Sequence, residues 1–241
     1  MPISKPYPHI YRHNIEGTLE AIPFMEARKT SAGKRFIRSY DFLIRDLLHL
    51  LEYIEPEGDN LSTYSQRTFD LLLKACTEID ANCKQILRAN NHPVEGADII
   101  RFSDLNGPMK LSHYNVICNN IEFYDFFPFE SFADPIRRQR IPSWYRACHD
   151  AISDREHYLS SASLSNVIES IGAVFVILSA QYGYCFEKVS SSQDNASTDS
   201  ANFFHLQEIP SWSSEESYRF DQGLFHDLPF IYENHPIPEI P

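Results

Sequence analysis

An all-α fold, a four-helix up-down bundle with a small β-hairpin insertion and extended N- and C-terminal segments, is predicted by three observations. Four segments repeat apolar residues at three- and four-residue steps, clusters of breakers separate them, and alternation of period two is confined to one short stretch. Apolar residues make up 43% of the chain and aromatics 13%, enough for a packed core of one sizeable domain.

The first helix is expected from about Ala32 to Tyr53, where Phe36, Tyr40, Leu43, Leu47, Leu50 and Leu51 line one face. Glu55-Pro56-Glu57-Gly58-Asp59-Asn60 stops it. Ser62 or Thr63 caps a second helix reaching about Ala89, with Phe69, Leu72, Cys76, Ile79, Cys83 and Ile86 as its stripe. A short polar loop between two such helices makes them antiparallel neighbours. From Leu111 to Phe129 alternation at Tyr114, Val116 and Cys118, then Ile121 and Phe123, predicts a hairpin that turns at Asn119-Asn120. A third, polar helix starts near Pro142 or Ser143. The fourth runs from about Leu164 to Tyr182 and stops at Gly183. Because Gly172 to Leu178 is apolar nearly all round, this helix belongs at the centre.

Outside residues 31–187, two flanking segments differ in character. Residues 1–30 carry Pro2, Pro6, Pro8 and Pro23 without helical periodicity, and Tyr7, Ile10 and Tyr11 call for burial; they read as an extended arm lying on the body. Residues 188–241 read as a Ser-rich linker over 190–200 followed by an aromatic, proline-rich tail fit to dock on the body or a protein partner.

Lys plus Arg number 21 and Asp plus Glu 33, so the formal net charge is 21 − 33 = −12. That balance opposes nonspecific attachment to nucleic acid or anionic membrane, and a phosphate site would need a local basic cluster. Met-Pro-Ile-Ser-Lys-Pro-Tyr-Pro at the start has no apolar signal core, and the longest apolar run falls short of the roughly 18 residues of a membrane span. Cys76, Cys83, Cys118, Cys148 and Cys185 lack paired spacing, as expected of free thiols in a reducing cytoplasm.

Chemistry-bearing residues concentrate on the third helix. Arg146, Asp150, Asp154 and His157 fall at steps of four, four and three; His149, Ser153 and His157 fall at steps of four. Residues so spaced share a helix face, and two imidazoles flanking a hydroxyl beside arginines and carboxylates suit acid–base chemistry. The competing reading is a solvated face with ion pairs such as Asp150 with Arg146. Arg137, Arg138 and Arg140 enter the same helix and form the basic cluster that could meet a phosphate, or else a solvated loop. Lys74, Glu78 and Asn82 lie along one line of the second helix. Either they take Arg146 or Arg155 as buried partners, or they form an exposed flank. Metal-ligand spacings and glycine-rich phosphate loops are missing, so no metal or cofactor is expected.

Phe36-Ile37-Arg38-Ser39-Tyr40-Asp41-Phe42-Leu43, Leu71-Leu72-Leu73-Lys74-Ala75-Cys76-Thr77-Glu78 and Pro142-Ser143-Trp144-Tyr145-Arg146-Ala147 resemble a group of bacterial proteins. In that group the third stretch continues as a Trp-Trp-x-Ala-Tyr-Asn-x-x-Lys-His-x-Arg helix. Over about residues 30 to 185 the chain thereby looks like a divergent relative of the HEPN superfamily of helical bundles. The resemblance implies an RNA-associated homodimer, either a metal-independent ribonuclease or its degenerate relative, in antiviral defence or a toxin–antitoxin pair. Active members use an Arg-x(4–6)-His motif. Alignment on Trp144 puts His149 at the Asn, Ile152 at the Lys, Ser153 at the His and Arg155 at the Arg. A serine hydroxyl cannot act as a base near neutral pH, so His149 or His157 would have to replace it. The implied site is then catalytic His149, His157, Arg146 and Arg155. Substrate would meet Arg137, Arg138, Arg140, Ser153 and Asp154, with Glu78 and Asn82 in support. The alternative is a catalytically inactive helical-bundle protein-interaction module.

Overall fold

Helix α1, Ser31–Leu51, begins where the Thr30 hydroxyl accepts from the Gly33 amide at 3.1 Å, and buries Ile37, Tyr40, Leu43, Ile44 and Leu47. The computed structural model describes residues 7–12, 30–119, 121, 124–183, 203–213 and 215–216. The predicted linker over 190–200, the tail beyond residue 216 and Asn120 of the expected turn lie outside the described residues.

Helix α2, Gln66–Ala89, starts two or three residues later than a cap at Thr63 or Ser62 would place it. Gly58–Ser62 forms its own 3₁₀ turn, in which the Ser62 hydroxyl donates to the Asp59 carbonyl at 2.6 Å. Ser65 caps the helix instead. Its hydroxyl accepts from the Thr68 amide, and the Thr68 hydroxyl accepts from the Ser65 amide at 2.7 Å, a reciprocal box that satisfies two free donors. Two short helices follow, α3 (Ile99–Phe102) and α4 (Asn106–Met109), in a segment without readable periodicity. Then come strands β1 (Asn115–Cys118) and β2 (Asp125–Phe126), helices α5 (Ser143–Ser153) and α6 (Arg155–Tyr158), helix α7 (Leu164–Tyr182) and strand β3 (Phe204–Glu208).

The architecture is mainly α with a three-stranded antiparallel sheet, ordered β2-β1-β3. It corrects the expected hairpin in two ways. Val116 faces Phe126 and Ile117 faces Asp125, so the return strand begins after Ile121 and Phe123, not on them. The other edge of β1 pairs with β3, where Cys118 faces Phe204 and Val116 faces Leu206. A strand drawn from the expected tail thus covers an edge that would otherwise leave backbone groups unpaired. The phenyl rings of Phe203 and Phe204 are buried, and that burial offsets the entropy of closing so long a loop.

Helix α7 is the hub. It packs on α1, α2 and α5, and every residue from Ser170 to Tyr182 is buried. By length and composition it could cross a membrane, but 83% of its apolar window is covered by the rest of the protein, as in a core helix. Gly183 ends it at a φ of 79°. Gly172 is required for a different reason: a Cβ there would come 2.5 Å from Phe126 Cζ, so the missing side chain lets β2 lie on α7. Gly172→Ala is expected to push that ring aside and cost about 1–3 kcal/mol, read as a lower urea midpoint at an unchanged slope.

The described part of the N-terminal arm is tied down. Tyr7, Ile10 and Arg12 are buried, and the Tyr11 amide donates to the Ala180 carbonyl at 2.8 Å. The Asn90 amide donates to the Pro8 carbonyl at 2.9 Å. Arg12 donates to the carbonyls of Glu216 and Pro108, and its guanidinium sits 4.5 Å from the Trp212 ring. His9 stands edge-on to Tyr182, and burial lowers its pKa against a partial opposing contribution from Gln181. The unfolded chain, with an imidazole near 6.5, therefore takes up the proton first. Stability should be constant above about pH 6.5 and fall as pH drops below it, toward the lower native value. Urea midpoints at pH 7.5 and 5.5 test this, and His9→Gln should flatten the difference.

Candidate functional site

Helices α2 and α5 meet along a seam whose register is given by two contacts. The Tyr145 hydroxyl donates to Asp80 Oδ1 at 3.4 Å, and the Arg155 guanidinium, just past α5, lies 4.4 Å from the Phe69 ring centroid. Higher numbers on one helix meet lower numbers on the other, so the two run antiparallel. Cys76, Asp80 and Lys84 recur every four residues along α2, one line facing the seam; Tyr145, Cys148 and His149 answer from α5.

At this seam the chemistry is concentrated on Asp80. Burial pushes its carboxyl above the usual carboxylate range, opposed by the Lys84 ammonium, the Tyr145 hydroxyl and the nearby His149. Burial likewise raises the Tyr145 phenol, with Asp80 adding to the effect. The His149 ring lies tilted on Tyr145 with centroids 5.1 Å apart. A carboxyl whose pKa is raised, a phenol and an exposed imidazole can pass or hold a proton at the protein surface.

The remaining predicted site residues do not join this group. The third helix is not continuous to His157: it ends at Ser153, and Asp154, with φ −148° and ψ 87°, starts the separate turn α6. The four-residue stacking of Asp150, Asp154 and His157 is therefore absent. The Asp154 side chain caps α6 through the His157 amide and pairs with His157 Nδ1 at 2.8 Å. The Ser153 hydroxyl donates back to the His149 carbonyl at 2.8 Å, within its own helix. Arg146 is exposed and Arg155 stacks on Phe69, away from the Asp80 cluster. Of the four expected catalytic side chains, His149 alone lies against the Tyr145–Asp80 pair.

The basic cluster is also divided. Arg137 donates to Asp104 at 2.6 Å, and Arg101 donates to the same buried carboxylate at 2.9 Å. Arg140 Nε donates to the Asp134 carbonyl at 2.7 Å; Arg138 is exposed. The expected phosphate contacts thus hold the 134–140 loop against α3 and its neighbouring turn. Supporting residues Glu78 and Asn82 face elsewhere too. Asn82 is fully buried and accepts from Gln181 Nε2 of α7 at 2.8 Å, while Lys74 pairs with Asp46 of α1 at 2.8 Å. Glu78, its pKa raised by burial, has the Ser39 hydroxyl of α1 as its partner. Neither Arg146 nor Arg155 is needed, because α7 and α1 reach this face first.

Sequence reasoning passed over Asp80, Lys84 and Tyr145. Their four-residue spacing with Cys76 and His149 was the available signal, but it gains meaning only when two helices are set in register. A second cluster was also missed: Glu169 of α7 lies 3.3 Å from the Ser143 hydroxyl and 3.4 Å from those of Ser165 and Tyr124, with its pKa raised by burial. It joins the start of α5 to α7. Among the described residues no three potential ligands cluster to hold a metal ion. Comparison with family models, curated proteins and solved structures returns no match for the chain.

Proposed function

We propose that this chain is a HEPN-like four-helix up-down bundle, formed by α1, α2, α5 and α7, that has lost ribonuclease chemistry and serves as a protein-interaction module. The separation of the expected catalytic groups carries this reading. His157 is paired with Asp154, Arg155 lies on Phe69, Ser153 stands where the family has histidine, and Arg137 and Arg140 are engaged within the protein. A metal-independent ribonuclease needs a base and cations converging on one phosphate, and these groups do not converge. The net charge of −12 adds a general repulsion toward RNA.

A second reading keeps proton-transfer chemistry on RNA at His149, supported by its place beside Tyr145 and the perturbed Asp80. Incubation of labelled single-stranded RNA with the protein separates the two. The interaction module leaves RNA intact and shows weak binding with little salt dependence. Cleavage that disappears in both His149→Ala and Asp80→Asn, with His157→Ala unaffected, establishes the second reading and overturns the first.

A further inference from the structure

The α2–α5 register that brings Asp80 to Tyr145 has a consequence one helical turn away. Four residues back along α2 is Cys76; three residues on along α5 is Cys148. Because the helices run antiparallel, these steps lead in the same direction in space, and the next rung of the seam is thiol against thiol. The two side chains are close enough to perturb each other's ionisation, and both residues are buried, 6% and 1% exposed. Burial raises the Cys76 thiol, and the neighbouring Cys76 side chain lowers Cys148. Cys83 and Cys118 are buried as well, and burial raises both thiols.

We propose that Cys76 and Cys148 form a redox-active dithiol, oxidised by a small peroxide to a disulfide that bridges α2 and α5. The burial of both sulfurs selects a small oxidant over a bulky disulfide such as glutathione disulfide. In the first step the Cys148 sulfur bonds to one peroxide oxygen and the O–O bond breaks. The departing hydroxide takes the Cys148 proton and leaves as water, with Cys148 now a sulfenic acid. In the second step the Cys76 sulfur attacks the Cys148 sulfur and the S–O bond breaks. The hydroxide released takes the Cys76 proton as a second water. Two electrons pass from the dithiol to the peroxide, and the product is one disulfide and two waters.

The bridge closes the chain between residues 76 and 148, a long loop, and joins the helix carrying Asp80 to the helix carrying His149. The oxidised protein should therefore melt higher, by about 5–10 °C, if native geometry accommodates the bond. The same link clamps the seam at which His149 and Tyr145 are presented.

The test treats the reduced, folded full chain with hydrogen peroxide, alkylates it under denaturing conditions, and measures intact mass and peptide maps. The expected result is two fewer alkylated thiols, loss of two hydrogens, and a cross-linked peptide pair containing Cys76 and Cys148. Cys76→Ala and Cys148→Ala should each abolish the cross-link while circular dichroism reports native helix. Because either variant could weaken the core, phenylarsine oxide provides a measurement on the unaltered chain. This reagent binds two adjacent thiols together, and reduced protein should take up one equivalent, protecting Cys76 and Cys148 from alkylation. Full alkylation of all thiols after peroxide exposure, no arsenical uptake by the folded protein, or a cross-link through Cys83, Cys118 or Cys185 overturns the proposal.

Discussion

Replacing Trp144 by Ala is expected to lower the stability by about 3–5 kcal/mol, the full range seen for deleting a buried indole. Trp144 is among the largest fully buried side chains, 1% exposed, at the first turn of α5. Its ring meets Phe129 edge to face at 5.9 Å, and its Nε1–H donates to the Pro128 carbonyl at 2.9 Å. Truncation removes the packing, leaves a cavity between α5 and the 128–133 segment, and orphans a buried carbonyl. Trp144→Phe keeps most of the volume and loses the hydrogen bond, so it should cost about 1–2 kcal/mol. Equal urea midpoints for the two variants would show that the hydrogen bond, not packing, holds α5 in place.

The second large effect is expected inside the α2–α7 contact. Asn82 and Gln181 are both fully buried and joined at 2.8 Å, and Asn82 Nδ2 also donates to the Glu78 carbonyl at 2.7 Å. Asn82→Ala strands the Gln181 amide among apolar groups, and the loss should be about 2–4 kcal/mol. The double variant Asn82→Leu/Gln181→Met replaces both polar groups by side chains of similar size, and should recover much of that loss. A double variant as unstable as the sum of its single variants would contradict this account and assign the cost to shape alone.

These two sites illustrate what could be read from the chain and what could not. The apolar run of α7 announces itself: period and composition place it in the core, whereas Trp144 sits in a helix that reads as polar. Asn82 does not announce itself either. It lies between Lys74, paired across to α1, and the buried stripe, and only the arrival of Gln181 from 99 residues away makes it an interior residue. Strand β3 was legible in part, since Phe204 and Leu206 alternate with His205 and Gln207. The serine-rich stretch before it and the prolines after it obscured a strand of five residues. The candidate site was misread for a related reason. Counting steps of four assumes an unbroken helix, but Asp154 caps a new turn as readily as it continues an old one. His149 was in view from the start; Asp80, its neighbour, was not.

Local spacing is sufficient to say where α1, α2 and α7 run and where α5 begins, because backbone hydrogen bonding and an apolar stripe act within a few residues along the chain. It is also sufficient to say that α7 is interior. Which side chains meet across a seam was settled by packing: Cys76 against Cys148, Tyr145 on Asp80, Arg137 on Asp104. Each of these contacts joins residues tens of positions apart. They follow from burying several helix faces at once, a condition that no single stretch of sequence contains.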